Sequence, residues 1–205
     1  MKSRKQAAKR ARAGSGHTDL TKVVSRIKAP VPSLEIYDTT LRDGAQAEDV
    51  SFSADDKVRV AQKLDELGVQ YIEGGWPGAN PRDIEFFRMI KTVPMKSATV
   101  VAFGSTRKAS NPASKDANLQ ALLEAGTGTI TLFGKSWNLH VTDALGISLA
   151  KNLEIIEDSL AWLKDKGRRV FYDAEHFFDG YKANPAYALD CLKSAERAEI
   201  GRAHV

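Results

Sequence analysis

From Leu34 onward, short apolar runs alternate with longer amphipathic stretches, and the alternation repeats along the chain. The runs Leu34–Tyr37, Val69–Glu73, Ala98–Phe103, Thr129–Phe133 and Arg169–Asp173 are rich in β-branched and aromatic residues. Their length and composition predict strands. Each is followed by a polar loop and then by apolar residues at helical spacing. The first predicted helix has Ser53 as N-cap and Asp56 three residues on, a stripe of Val60, Ala61, Leu64 and Leu67, and a stop at Gly68. The second opens with Asn80 as cap and Pro81 at its first position, and its pattern buries Ile84, Phe87 and Ile90. Leu119, Leu122 and Leu123 mark a third helix before Gly126. A fourth carries Leu149, Leu153, Ile156, Leu160 and Leu163 before Gly167, and a fifth starts at Asn184 and Pro185.

Consecutive strand–helix units predict a parallel sheet, since each helix is a crossover. An open doubly wound sheet and a (β/α)8 TIM barrel both satisfy that pattern. No GxGxxG follows the first strand, and polar clusters follow several strands instead of one. The expected fold class is therefore α/β, a (β/α)8 barrel truncated after about five βα units. The expected organisation is a basic disordered tail over residues 1–32, the N-terminal part of a barrel over 33–199, and a foreign tail over 200–205. Ile200–Val205 reads as a translated sequencing-library adapter, so the parent protein is expected to continue differently after about Glu199.

Charge changes the picture only at the N-terminus. Residues 1–30 hold nine Lys or Arg against one acid, Asp19, while the rest of the chain is mildly acidic although the total is +4. The expected partner set therefore contains no nucleic acid. An Arg-rich, acid-poor tail also fits an organellar transit peptide or a nucleic-acid arm. Cys191 is the single cysteine, so no disulfide forms within the chain. No apolar run reaches the length of a membrane span, and no membrane partner is expected.

The chemistry gathers where strands end, which is the catalytic face of a parallel barrel. The stretch DTTLRDGAQ, Asp38 to Gln46, places Arg42 beside Asp43. That pair offers a cation for a developing oxyanion and an anion for a metal, or simply a mutual surface ion pair. Glu73 precedes two glycines and is free to accept from their amides, while Trp76 and Pro77 suit a pocket wall or a turn. Gly104 and Ser105, Lys135 and His140, and Asp173, Glu175 and His176 follow the later strands. Asp43, Glu175, His140 and His176 are a conceivable but widely separated set of divalent-metal ligands.

The strings DTTLRDGAQ, IEGGWPG, AFGST, FGKSWNLHVT and YDAEHFFDGYKANP resemble the catalytic barrel of the citramalate synthase and 2-isopropylmalate synthase group, within the metal-dependent acyl-CoA lyases and synthases. The likeness runs from about Leu34 to Glu199 and is strongest to the citramalate synthase branch. It implies a Claisen-type condensation of acetyl-CoA with a 2-oxo acid, pyruvate for citramalate, followed by thioester hydrolysis, in isoleucine biosynthesis. 2-Isopropylmalate synthase, of leucine biosynthesis, is the alternative, and a non-catalytic binding fragment is the alternative of another class.

By the same resemblance Asp43 is a ligand of a divalent metal (Mg, Mn or Zn), and Arg42 and Glu175 are catalytic. Arg42, Gln46 and His140 are substrate-binding, and the parent is a cytoplasmic homodimer. Ala45 stands where many members carry a larger polar residue, leaving Gln46 as the polar amide there. The family's HxH metal ligands are absent from this sequence, so the chain itself is expected to be an inactive part of an acyltransferase.

Overall fold

The computed structural model describes residues 34–198 and the backbone of 202–204. The basic segment 1–32, expected to be disordered, lies outside the described residues. Chain order is β1 (Tyr37–Asp38), α1 (Ala54–Leu67), β2 (Tyr71–Gly75), α2 (Pro81–Ile90), β3 (Thr99–Ser105), α3 (Ala117–Glu124) and β4 (Thr129–Lys135). There follow α4 (Leu149–Asp165), β5 (Arg169–Glu175), α5 (Phe177–Ala183), α6 (Pro185–Arg197) and β6 (Arg202–His204).

All neighbouring strands pair in parallel, in the order β1-β2-β3-β4-β5-β6. The sheet is an open arc of a (β/α) barrel, with helices packed on its outer face. The short β6 falls within the stretch read as foreign. Three residues of backbone pairing are open to almost any sequence, so β6 does not bear on their origin.

Period-two alternation sorts the strands into two faces. Ile72, Ala102, Ile130, Leu132, Val170 and Tyr172 pack outward against Phe86, Phe87, Leu119, Leu122, Ile156, Leu160 and Leu163, all of them buried. Each Val, Leu, Ile or Phe among them contributes about 1.5–3 kcal/mol by leaving water. The opposite parity faces the barrel interior. There Tyr71, Val101 and Phe171 form a small second cluster with Tyr37. Further along the same strands that parity presents Glu73, Phe103, Phe133, Asp173 and Glu175.

The helix caps are those the sequence specifies. Ser53 and Asp56 exchange the two bonds of a capping box, and Gly68 closes α1 at φ 90°. Asn80 and Asn184 cap α2 and α6 ahead of Pro81 and Pro185. Two burial expectations fail. Leu67 is 78% exposed and Ile84 is 55% exposed. Phe86 and Phe87 take the inward places on α2, and on α1 an inward place goes to Lys57, one turn before Ala61.

The ladders also run further than the apolar runs. β2, β4 and β5 continue to Gly75, Lys135 and Glu175, while β1 is confined to Tyr37 and Asp38. Leu34–Ile36 lies outside the ladder, with Leu34 exposed and the Ile36 backbone held by Gln70 and Tyr71.

Candidate active site

The DTTLRDGAQ segment is a compact turn. The amides of Arg42, Asp43 and Gly44 all donate to the Thr39 carbonyl at 2.9–3.1 Å. Asp38 accepts from the Thr40 amide and hydroxyl at 3.0 and 3.1 Å, and Leu41 is fully buried beneath.

Arg42 turns inward. Its Nε donates to Glu73 Oε1 at 2.5 Å, its Nη1 to Asp43 Oδ1 at 3.1 Å, and its guanidinium carbon lies 3.9 Å from the centre of the Phe103 ring. The expected surface pair with Asp43 therefore exists, but it is the outer and weaker half of the arrangement. The inner half is Glu73, which is 1% exposed and also accepts from the Tyr37 hydroxyl at 2.5 Å. That hydroxyl lies 2.6 Å from Thr131 Oγ1. Glu73 thus engages Arg42 and Tyr37 and not the glycine amides suggested by the sequence. Burial raises the Glu73 carboxyl above its ordinary value, with the Arg42 charge and the Tyr37 and Arg42 hydrogen bonds opposing. The Tyr37 phenol is driven up by burial and by its carboxylate neighbour.

A cavity of about 510 Å³ opens over this pair. Asp43, Gln46, Asp173 and Glu175 line it, together with Phe103, Phe133 and Trp76. Phe103 and Phe133 stack with centroids 5.3 Å apart and planes 17° apart, and Trp76 meets Phe133 edge-on at 5.3 Å. The cavity is thus lined by aromatic rings and by charged groups of both signs, Arg42 among them. Glu175, at the end of β5, pairs with Lys135 at the end of β4, Nζ to Oε2 being 2.6 Å.

The IEGGWPG string shapes one wall. A side chain on Gly74 would collide with Phe86, and one on Gly75 (φ 147°) with the Asp83 carboxyl. Asp83 accepts from the Trp76 amide at 2.8 Å and from the buried Lys57 ammonium, which also donates to the Gly74 carbonyl at 3.1 Å. The Trp76 indole donates to Asn118 Oδ1 at 2.6 Å, and Asn118 in turn donates to the Ser105 carbonyl. Trp76 is thus tied at both ends, as a pocket wall requires.

Lys57, Asp83, Asn118 and the Arg42 side of Glu73 were all missed by reading the sequence. Lys57 and Asp83 left one signal: each sits among apolar positions on the inward face of its helix.

Arg42, Asp43, Gln46 and Glu175 come together in this cavity, whereas His140 does not. His140 occupies a π-helical turn, His140–Ala144, with its ring centre 4.7 Å from those of both Trp137 and His176. Its Nδ1 is buried without a hydrogen-bond partner among the described residues. His176 adopts a left-handed conformation at φ 55° and faces Asp179 at 3.5 Å. The conceivable metal set of Asp43, Glu175, His140 and His176 is not assembled. Among the described residues no three His, Cys, Asp or Glu side chains gather to hold an ion. Asp43, with a 62% exposed side chain paired to Arg42, is one donor and not a site.

The parallel arc with its strand-end cavity is that of a (β/α) barrel, and the chain belongs to the HMGL-like family, whose pattern matches residues 33–203. Over 166 residues it is 57% identical to the (R)-citramalate synthase of Geobacter sulfurreducens, covering 81% of this chain and 31% of that protein. The 2-isopropylmalate synthase of Sulfolobus acidocaldarius is 30% identical over 84% of this chain and 42% of its own length. The chain thus spans about a third of the citramalate synthase it matches. Among solved structures, the HMG-CoA lyase of Bacillus subtilis superposes with a TM-score of 0.67 at 18% identity, over 85% of this chain and 58% of that one. That likeness establishes the fold.

Proposed function

We propose that this chain is the N-terminal catalytic part of an (R)-citramalate synthase-like enzyme, joining acetyl-CoA to pyruvate and releasing CoA. The observation that carries the reading is the Arg42 guanidinium, clamped between buried Glu73 and the Phe103 ring at the cavity. In a Claisen-type condensation the methyl carbon of the thioester loses a proton and attacks the keto carbon. A new carbon–carbon bond forms, and the keto oxygen gains negative charge. A guanidinium held in place before reaction stabilises that oxygen without reorganising. Water then cleaves the thioester, giving the hydroxy diacid and free CoA.

Asp173 and Glu175 supply carboxylates on the same cavity for proton handling, and Gln46 supplies an amide for the acid. The stacked Phe103 and Phe133 with Trp76 wall the cavity, whose volume admits a short or a branched 2-oxo acid, and we take the short one. The higher identity to citramalate synthase than to 2-isopropylmalate synthase supports the same choice. Asp43 alone does not make a metal site among the described residues; in the complete enzyme it would be one ligand of a divalent ion that polarises the keto group.

The test is release of free thiol from acetyl-CoA by the complete enzyme, with pyruvate and with 2-oxoisovalerate. Faster turnover with pyruvate is expected, and a preference for 2-oxoisovalerate overturns the reading.

A further inference from the structure

Tyr37 joins an apolar cluster to a polar one. Its ring stacks on Tyr71, with centroids 6.1 Å apart, and meets Phe171 edge-on at 5.9 Å. Its hydroxyl leaves those rings, donates to Glu73 Oε2 at 2.5 Å and lies 2.6 Å from Thr131 Oγ1. One side chain of β1 thus reaches β2 and β4. Of Tyr37, Thr131, Glu73 and Arg42, Arg42 is the one that lines the cavity.

The direction of these bonds follows from charge. An ionised Glu73 can only accept, so the Tyr37 hydroxyl donates to it, and the Thr131 hydroxyl in turn donates to Tyr37. The phenol keeps its proton, because burial and the neighbouring carboxylate both oppose its loss. The two oxygens of Glu73 therefore have separate donors, Arg42 Nε at Oε1 and Tyr37 at Oε2. The last torsion of a glutamate is broad and has no sharp wells to fix it. Held at one oxygen, the carboxylate swings about that torsion; held at both, it is a fixed anchor for the guanidinium.

We infer that Tyr37 is a positioning residue of the reaction, its hydroxyl fixing the Glu73 carboxylate and, through it, aiming Arg42 into the cavity. This rests on the oxyanion role given to Arg42 above and holds for whichever 2-oxo acid is used. Tyr37 itself touches neither substrate nor a reacting atom.

Two measurements test it. In the 205-residue chain, NMR follows exchange of the Arg42 Nε–H with solvent, the signal being assigned by its loss in Arg42→Lys. Tyr37→Phe removes the hydroxyl, keeps the ring, and is expected to speed that exchange about fivefold or more. Tyr71→Phe takes a hydroxyl from the same cluster, one bonded to Arg169 instead of Glu73, and is expected to leave exchange within about twofold.

In the complete enzyme Tyr37→Phe is expected to lower kcat for CoA release about tenfold or more, with KM for pyruvate within about threefold, since a displaced guanidinium fails the transition state more than the bound acid. Tyr71→Phe should leave kcat within about twofold. On a Glu73→Gln background the Tyr37→Phe change should cost about threefold or less, because the carboxylate it acts through is already gone.

Exchange or kcat that is equal in Tyr37→Phe and Tyr71→Phe overturns the assignment, as does a further loss of about tenfold on top of Glu73→Gln. A parent enzyme that releases no CoA contradicts the proposed function, and the exchange measurement then still decides whether Tyr37 holds Arg42.

Discussion

Arg42 and Glu73 are 31 residues apart in the chain and 2.5 Å apart in space, Nε to Oε1. One ends the turn after β1 and the other sits inside β2, so their meeting is a product of the parallel pairing of these strands. It converts a surface arginine into a fixed charge at the cavity. Glu73→Gln keeps the shape but removes the anion, leaving Arg42 without its inner partner. The variant is expected to lose stability at mildly acidic pH, measurable by urea unfolding of this chain. In the complete enzyme a misplaced guanidinium is expected to lower kcat about a hundredfold. Unchanged values of both would show that Asp43 and Phe103 suffice to hold Arg42.

The same carboxyl gives a pH signature. Burial holds Glu73 above its ordinary value of 4.5 in the folded chain. Between the unfolded and folded values the folded chain therefore holds the extra proton. Its contribution is full below 4.5 and is lost as pH rises through the folded value. Unfolding free energy followed from about pH 4 to about pH 8 should fall less steeply in Glu73→Gln than in the parent. Parallel curves would refute the assignment.

Asp65 has the opposite sign. The amides of Lys96, Ala98 and Ser97 all donate to it and hold its carboxyl below the ordinary 3.8. Its stabilisation is present above 3.8 and is lost as pH falls through the lower folded value. Asp65→Asn should therefore lower the melting midpoint at neutral pH, and the difference should shrink toward about pH 3. A constant difference would mean that geometry and not charge holds the loop.

Lys57 and Asp83 form a buried pair that fixes the Trp76 backbone. Lys57→Met and Asp83→Asn should each destabilise by about 3 kcal/mol, and the double variant by clearly less than their sum. Trp76 emission should shift in all three. Additive losses with unshifted emission would mean that the pair does not position the indole.

The FDGYK segment owes its glycine to a close approach. A side chain on Gly180 would meet the Ser136 carbonyl, backbone against backbone, so neither partner can turn away. Gly180→Ala should cost about 1–3 kcal/mol in unfolding free energy. A neutral effect would mean that α5 is free to lift away from the end of β4.

How much of this was legible follows from where the signals lie. Strand–helix alternation and caps such as Ser53, Asn80 and Asn184 are local, so helix starts and the parallel class could be read directly. Strand ends could not. Gly134, Lys135, Ala174 and Glu175 have no shared apolar pattern, yet they continue the β4–β5 ladder through backbone bonds alone. Helix α5 was missed because Gly180 argues against a helix by propensity, while packing on Ser136 demands glycine there.

In the site, Arg42 and Asp43 announced themselves by charge density. Glu73 was underread because its cation lies 31 residues away in the turn after β1; yet a carboxylate inside a buried strand needs a cation, and the parity that turns Tyr71 inward turns Glu73 inward too. Contacts between elements distant in sequence are the part that pattern does not carry.

The most direct measurement is kcat for CoA release from acetyl-CoA and pyruvate in the complete enzyme carrying Arg42→Lys. Lysine keeps the charge but cannot both donate to Glu73 and lie flat on Phe103. The account predicts a loss of about a hundredfold to a thousandfold in kcat with the fold intact. A kcat within about threefold of the parent would contradict it, because Arg42 would then be no more than a surface charge.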